Sequence, residues 1–203
     1  MKVTVRVLIA VSFCAAVLLV SCKSSSRDGS LDILGPSDET AEAAKLVQAA
    51  NQDLQKIKVI YKENEGKREE IKKALEAKNA EEVKKISDDV VYIINGGFEH
   101  GNAAVEKIDQ ALEMNINDDY REYLELKQQA LRRQMEAFEN YRQAARQLRN
   151  NYDPQNVEAR EKVTAEFKQR SEKYAELMEK ARDASQQANE LYKEVVQRQQ
   201  QQS

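Results

Sequence analysis

Few side chains in these 203 residues suit covalent or proton-transfer chemistry: one histidine, His100, and two cysteines, Cys14 and Cys22. A lone imidazole works as a general acid or base only beside a nucleophile or carboxylate that exchanges the proton with it, and no spacing here supplies that partner. A di-iron bundle draws on two Glu-x-x-His pairs, which one histidine cannot provide. Haem attachment through Cys-x-x-Cys-His fails on the cysteines. The chain has no phosphate-cradling glycine loop, no Ser-His-Asp pattern in strand context and no cluster with metal-ligand spacing. The expectation is a non-enzyme that uses no cofactor and no metal.

Cys22 is different, because its surroundings prescribe a chemistry for the thiol. Lys2 and Arg6 precede an apolar stretch from Val7 to Val20, and Ser21 separates that stretch from Cys22. This is the layout of a secretory signal peptide. Fourteen apolar residues are too few for a membrane span, which takes about 20. Leu19-Val20-Ser21-Cys22 resembles the lipobox of bacterial lipoproteins. The resemblance implies that residues 1–21 are cleaved as a signal peptide, that the Cys22 thiol carries a diacylglycerol, and that its freed amine is acylated too. One acyl chain holds a protein marginally on a membrane and two hold it stably. Lys23 stands where an aspartate would mark inner-membrane retention in some two-membrane bacteria. The outer membrane is therefore the favoured address within the cell envelope, with the periplasmic or surface face open. An ordinary signal peptide or an uncleaved anchor are the competing readings. Cys14 leaves with the signal and Cys22 is capped by lipid, so no thiol remains for a disulfide or a zinc site.

The formal charge is −3. Loss of Lys2 and Arg6 turns 32 basic residues into 30 against 35 acidic ones, a net of −5. Nucleic-acid binding calls for a basic surplus, and none is visible. With 33% charged residues, no Trp, 6 Gly and 2 Pro, the composition is that of long solvated helices.

The elements that must position any site follow from periodicity. Residues 22–37 read as the lipidated cysteine and a Ser/Gly-rich flexible linker of about 20 Å average span. Beyond them apolar residues recur at three- and four-residue steps, predicting an all-α, coiled-coil-like antiparallel bundle of about four long helices over 38–199, with 200–203 a disordered tail. In the first segment, 38–77, Ala43/Val47, Ala50/Leu54, Ile57/Tyr61 and Ile71/Leu75 keep a seven-residue repeat. Asn64/Arg68 replace the apolar pair in the middle, so one layer of that seam is polar. Lys78-Asn79 interrupts, and Asn79 with Glu82 has the spacing of a helix cap and its reciprocal partner. The second segment, 80–114, offers Val83, Val90, Val91, Ile94, Phe98, Val105, Ile108 and Leu112 to a core. The third, 118–150, offers Tyr120, Leu124, Leu131, Phe138, Tyr141, Ala145 and Leu148. Asp153 is read as the cap of the fourth helix, with Pro154 at its first position. A tetratricopeptide-like array is a second architecture, weakened by the missing mid-repeat glycine in "ELKQQALRRQMEAFENYR".

Two stretches of the body draw functional readings. "INGGFEHGNAA" packs Gly96, Gly97, Gly101 and His100 into a helical period, although each glycine costs a helix about 1 kcal/mol relative to alanine. The glycines either let another helix approach closely, or end a helix at Asn95-Gly96, or form a hinge or ligand notch with His100 at its lip. Arg132, Arg133, Arg142, Arg146 and Arg149 along the third segment could meet an acidic partner or pair with Glu136 and Glu139. The functional expectation is a lipid-anchored envelope protein acting as a non-catalytic interaction or scaffolding module. Its partners would be the membrane, an envelope protein and, since the core is lean, a second copy. A chaperone-like holder is the alternative.

Overall fold

The computed structural model describes residues 38–201; the signal-like stretch, Cys22, the linker and residues 202–203 lie outside the described residues. The fold is all-α. The described residues form four helices, α1 (Thr40–Glu76), α2 (Ala80–Glu113), α3 (Asp118–Asn151) and α4 (Val157–Gln201), joined by turns of three to five residues. At 1.5 Å per residue the helices are about 50 to 68 Å long. Short turns force sequence neighbours antiparallel, and the backbones pack closely in the pairs α1–α2, α2–α3 and α3–α4, whereas α1 and α4 barely meet.

Each helix starts and stops on local chemistry. Asn79 Oδ1 accepts the Glu82 amide at 3.1 Å and Asn117 Oδ1 accepts the Tyr120 amide at 2.9 Å, satisfying free amides at the starts of α2 and α3. The reciprocal half expected of Glu82 is absent, because the Asn79 amide is already donated to Ala74 O at 3.0 Å. That bond and Lys78 N to Leu75 O at 3.1 Å close α1 with Lys78 in the left-handed conformation at φ 52°. At the end of α2, Arg121 donates to Leu112 O and Met114 O at 2.8 and 3.1 Å. The start of α4 corrects the sequence reading. Asn156, not Asp153, is the cap, accepting the Ala159 amide at 3.0 Å, and Pro154 sits before the helix rather than at its first position. Asp153 spends its carboxylate on the Gln155 amide within the turn. At the C-terminal end α4 continues to Gln201, two residues into the stretch expected as a tail, since glutamine is a good helix former and nothing in "QRQQQQ" breaks the turn.

The core follows the heptads. Ala43, Ala50, Ile57 and Ile71 of α1, Val83, Val90, Ile94 and Ile108 of α2, Leu124, Phe138, Tyr141 and Leu148 of α3, and Phe167, Tyr174 and Leu177 of α4 are all buried. Phe98, Val105, Leu112 and Tyr120 are only partly so, packing against its edge. α3 runs unbroken through the stretch where a tetratricopeptide array would turn.

Candidate functional site

The α1–α4 seam is where the bundle is left open, and Arg68, from the polar layer of the α1 heptad, lies on it. A residue such as leucine at position 68 would bridge toward α4. Instead the Arg68 guanidinium sits over the Tyr174 ring, 5.7 Å from its centroid. A groove of about 460 Å³ opens beside it, with Leu75, Phe167, Ser171 and Ala175 among its walls. It shares Leu75, Glu76, Thr164 and Lys168 with a second hollow of about 440 Å³ that reaches Lys78 and Arg160. The groove wall rests on an aromatic stack: Tyr141 lies 5.3 Å from Tyr174 and 6.3 Å from Phe167 between ring centroids. Burial pushes the Tyr141 hydroxyl well above the usual tyrosine pKa, with Arg68 opposing. The hydroxyls of Tyr141 and Ser171 are buried without a hydrogen-bond partner among the described residues.

Further along, toward the Thr40 end, α3 presents Lys127 between the two outer helices. Its ammonium donates to Asn51 Oδ1 of α1 at 2.9 Å and to Tyr123 Oη at 3.2 Å, and lies 5.2 Å from the Tyr123 ring centroid. Tyr123 in turn approaches Tyr120 at 5.7 Å and Tyr192 of α4 at 5.9 Å. Lys127 forms no ion pair among the described residues, and burial lowers its pKa. The hydroxyl of Tyr120 is pushed up to about 12, chiefly by burial and then by Tyr123 and Tyr192.

The residues singled out from sequence lie elsewhere, and the structure does not gather them. α2 passes through the glycine stretch without a break and no glycine there has positive φ, so Gly96, Gly97 and Gly101 form no turn. Gly97 faces α1, where a Cβ would stand 3.3 Å from Ile60 Cγ2; Gly101 faces α3, where a Cβ would collide with Met135. Gly96 faces open space. His100 is at no notch: its Nδ1 lies 3.5 Å from Asp53 Oδ1, in a cluster where Lys107 donates to Asp53 Oδ2 at 2.8 Å and Lys56 stands 3.5 Å away. The Lys107 hydrogen bond holds the Asp53 carboxyl below its ordinary pKa against the effect of burial.

Nor do Arg132, Arg133, Arg142 and Arg149 form a free patch. Arg132 reaches Asp109 of α2 at 2.9 Å, and Arg133 pairs with Glu136 at 3.3 Å. Arg142 pairs with Glu139, donates to Asn95 at 2.8 Å and covers the Phe98 ring at 4.5 Å. Arg149 meets Asp88 at 3.1 Å. Most of these contacts tie α3 to α2. Sequence reasoning missed Lys127 and the walls contributed by α4, since a lysine in a heptad gives no signal until the facing helices are known.

Among the described residues no group of three or more His, Cys, Asp or Glu could hold a metal ion, and no helix is long and apolar enough to cross a membrane. No family model, curated protein or solved structure matches the chain.

Proposed function

We propose that this chain is a lipid-anchored cell-envelope protein, held through Cys22, whose helical bundle works by non-catalytic contact with another protein. The observation that carries the reading is the α1–α4 seam. A bundle selected only to be stable would close it with an apolar layer, whereas here Arg68 and Ser171, whose hydroxyl has no hydrogen-bond partner among the described residues, line a groove with apolar walls. Exposed apolar concavities of this kind mark interaction sites. The lipobox-like Leu19-Val20-Ser21-Cys22 supports the anchor, and Lys23 supports the outer membrane.

The test is in-cell crosslinking of the lipidated protein followed by mass spectrometry. One dominant partner at fixed contact sites is the result expected of a dedicated assembly subunit. The same groove also suits a chaperone-like holder of envelope clients, which would instead catch a broad set of unrelated proteins through weak, adaptable contacts.

A further inference from the structure

The outward ridge of α2, away from the seam, is a second place where apolar surface is left uncovered. Tyr92 is 81% exposed there, and Val59 on the neighbouring α1 is 58% exposed. Ile60 meets Gly97, which sets Val59 level with the middle of α2. One turn beyond Tyr92, on the same side of the helix, Gly96 faces open space, although alanine would strengthen the helix by about 1 kcal/mol. The exposed ring is a knob and the missing side chain beside it a notch.

Charge is sorted along the same ridge. At seven-residue steps it carries Lys85, Tyr92, Glu99 and Glu106, all exposed. The Lys85 and Glu99 side chains have no hydrogen-bond or ion-pair partner among the described residues, and Glu106 accepts only from Gln110 at 3.4 Å. Polar groups flanking the ridge are satisfied within the chain: Asp88 by Arg149, Asp89 by Lys67, Asn95 by Arg142 and Lys56 by Asp53. The ridge is thus basic before the knob and acidic after the notch, so its complement is the same ridge running the other way. A two-fold contact requires a patch that complements itself in this manner. With each Tyr92 in the notch of the other copy, Lys85 comes level with Ala103 of the second copy, between Glu99 and Glu106 and about 6 Å or less from each along the axis. A parallel pairing would instead set Lys85 against Lys85 and each glutamate against its like.

We propose that the outward ridge of α2 is a homodimer face, on which two copies cross antiparallel with Tyr92 of each over Gly96 of the other, beside Val59, and Lys85 of each paired with Glu99 and Glu106 of the other. This goes beyond the seam reading, uses a different face, and stands or falls apart from it. One helix crossing is smaller than a standard interface of about 800 Å² per partner, so the dimer should be weak and depend on concentration.

The test is sedimentation equilibrium of the full chain in zwitterionic detergent, with micelles in excess so that two copies do not share one by chance. Carbodiimide crosslinking, which joins an amine directly to a carboxylate, is read by mass spectrometry on the same samples. Along α2, Lys85 lies about 21 Å from Glu99 and about 32 Å from Glu106, so a crosslink to either forms only between copies. Both the dimer and these crosslinks are expected. Lys85→Glu should weaken association at least tenfold, and adding Glu106→Lys to the same chain should restore most of it. Gly96→Leu, at a position its own chain leaves open, should fold as well as the wild type yet stay monomeric. A chain that is monomeric up to about 1 mM, a dimer indifferent to both Lys85→Glu and Gly96→Leu, or a charge swap that restores nothing overturns the proposal. So does a photo-crosslinker at Tyr92 that catches another protein or a lipid in cells and no second copy.

Discussion

The guanidinium of Arg68 on α1 rests over the ring of Tyr174 on α4, 5.7 Å from its centroid, where the heptad calls for an apolar pair. A half-exposed cation–π contact contributes about 0.5–1 kcal/mol, roughly what partial burial of a leucine would return. Replacing Arg68 by Leu should therefore leave the melting temperature unchanged or raise it by up to about 4 °C, while abolishing any partner binding through the seam. A fall of more than about 4 °C would make Arg68 a structural residue, not an interaction residue.

The glycines of α2 make opposite predictions at neighbouring positions. Gly96→Ala adds a methyl into open space and should stabilise by about 1 kcal/mol through helix propensity alone. Gly101→Leu drives a side chain into Met135, which is itself buried, and should cost about 1–3 kcal/mol by overpacking. Thermal melts of the two variants should move in opposite directions; equal shifts would mean α3 does not approach α2 at Gly101.

Lys78 closes α1 at φ 52°, a conformation that costs a side-chain-bearing residue about 1 kcal/mol or more. Lys78→Gly should raise the melting temperature by about 2–4 °C. Chemical denaturation with an unchanged slope would confirm that only this turn has changed.

Alkaline pH should weaken the fold through its tyrosines. Burial raises the pKa of Tyr120 to about 12, and raises those of Tyr123 and Tyr141. A raised folded pKa gives stability that is whole below the unfolded value of about 10 and lost as pH climbs through the folded one. Lys127 works against this trend: its lowered pKa lets it shed its buried charge early, an effect complete by about pH 10.4. The melting temperature of the wild type should therefore fall further between pH 9 and 12 than that of Tyr120→Phe. Equal losses would show that the Tyr120 hydroxyl ionises as freely folded as unfolded.

At the membrane end, Cys22→Ser should move the protein from the membrane fraction to the soluble fraction of lysed cells. Retention on membranes would point to an uncleaved signal anchor or a tightly held membrane partner.

The helices were legible because three breaks interrupt a long apolar period: Lys78-Asn79, "NIND" and "NNYDPQN". Each puts an Asx side chain where free amides need an acceptor. What could not be read was which Asx does it. Asp153 and Asn156 are both good caps, and the choice falls to Asn156 only because Asp153 is engaged within its own turn. The four-residue spacing of the glycines admits a close helix approach but does not say that Gly97 faces α1 and Gly101 faces α3, since a position along one helix does not specify the neighbour it meets. The polar layer at Asn64/Arg68 was visible as a missing apolar pair. That Arg68 borders a groove depends on α4, which lies more than 80 residues away in sequence.

The start of α1 is tied to the α2–α3 turn. Glu39 exchanges two hydrogen bonds of 2.8 Å with Asn115, and Thr40 Oγ1 accepts from the Asn117 amide and side chain at 3.3 and 3.2 Å. A pull on the chain ahead of Pro36 therefore arrives at α1 and the α2–α3 turn together. Peeling α1 away from its first residue requires several of these bonds to fail at once, so tension on the leading segment is shared by three helices rather than unzipping one.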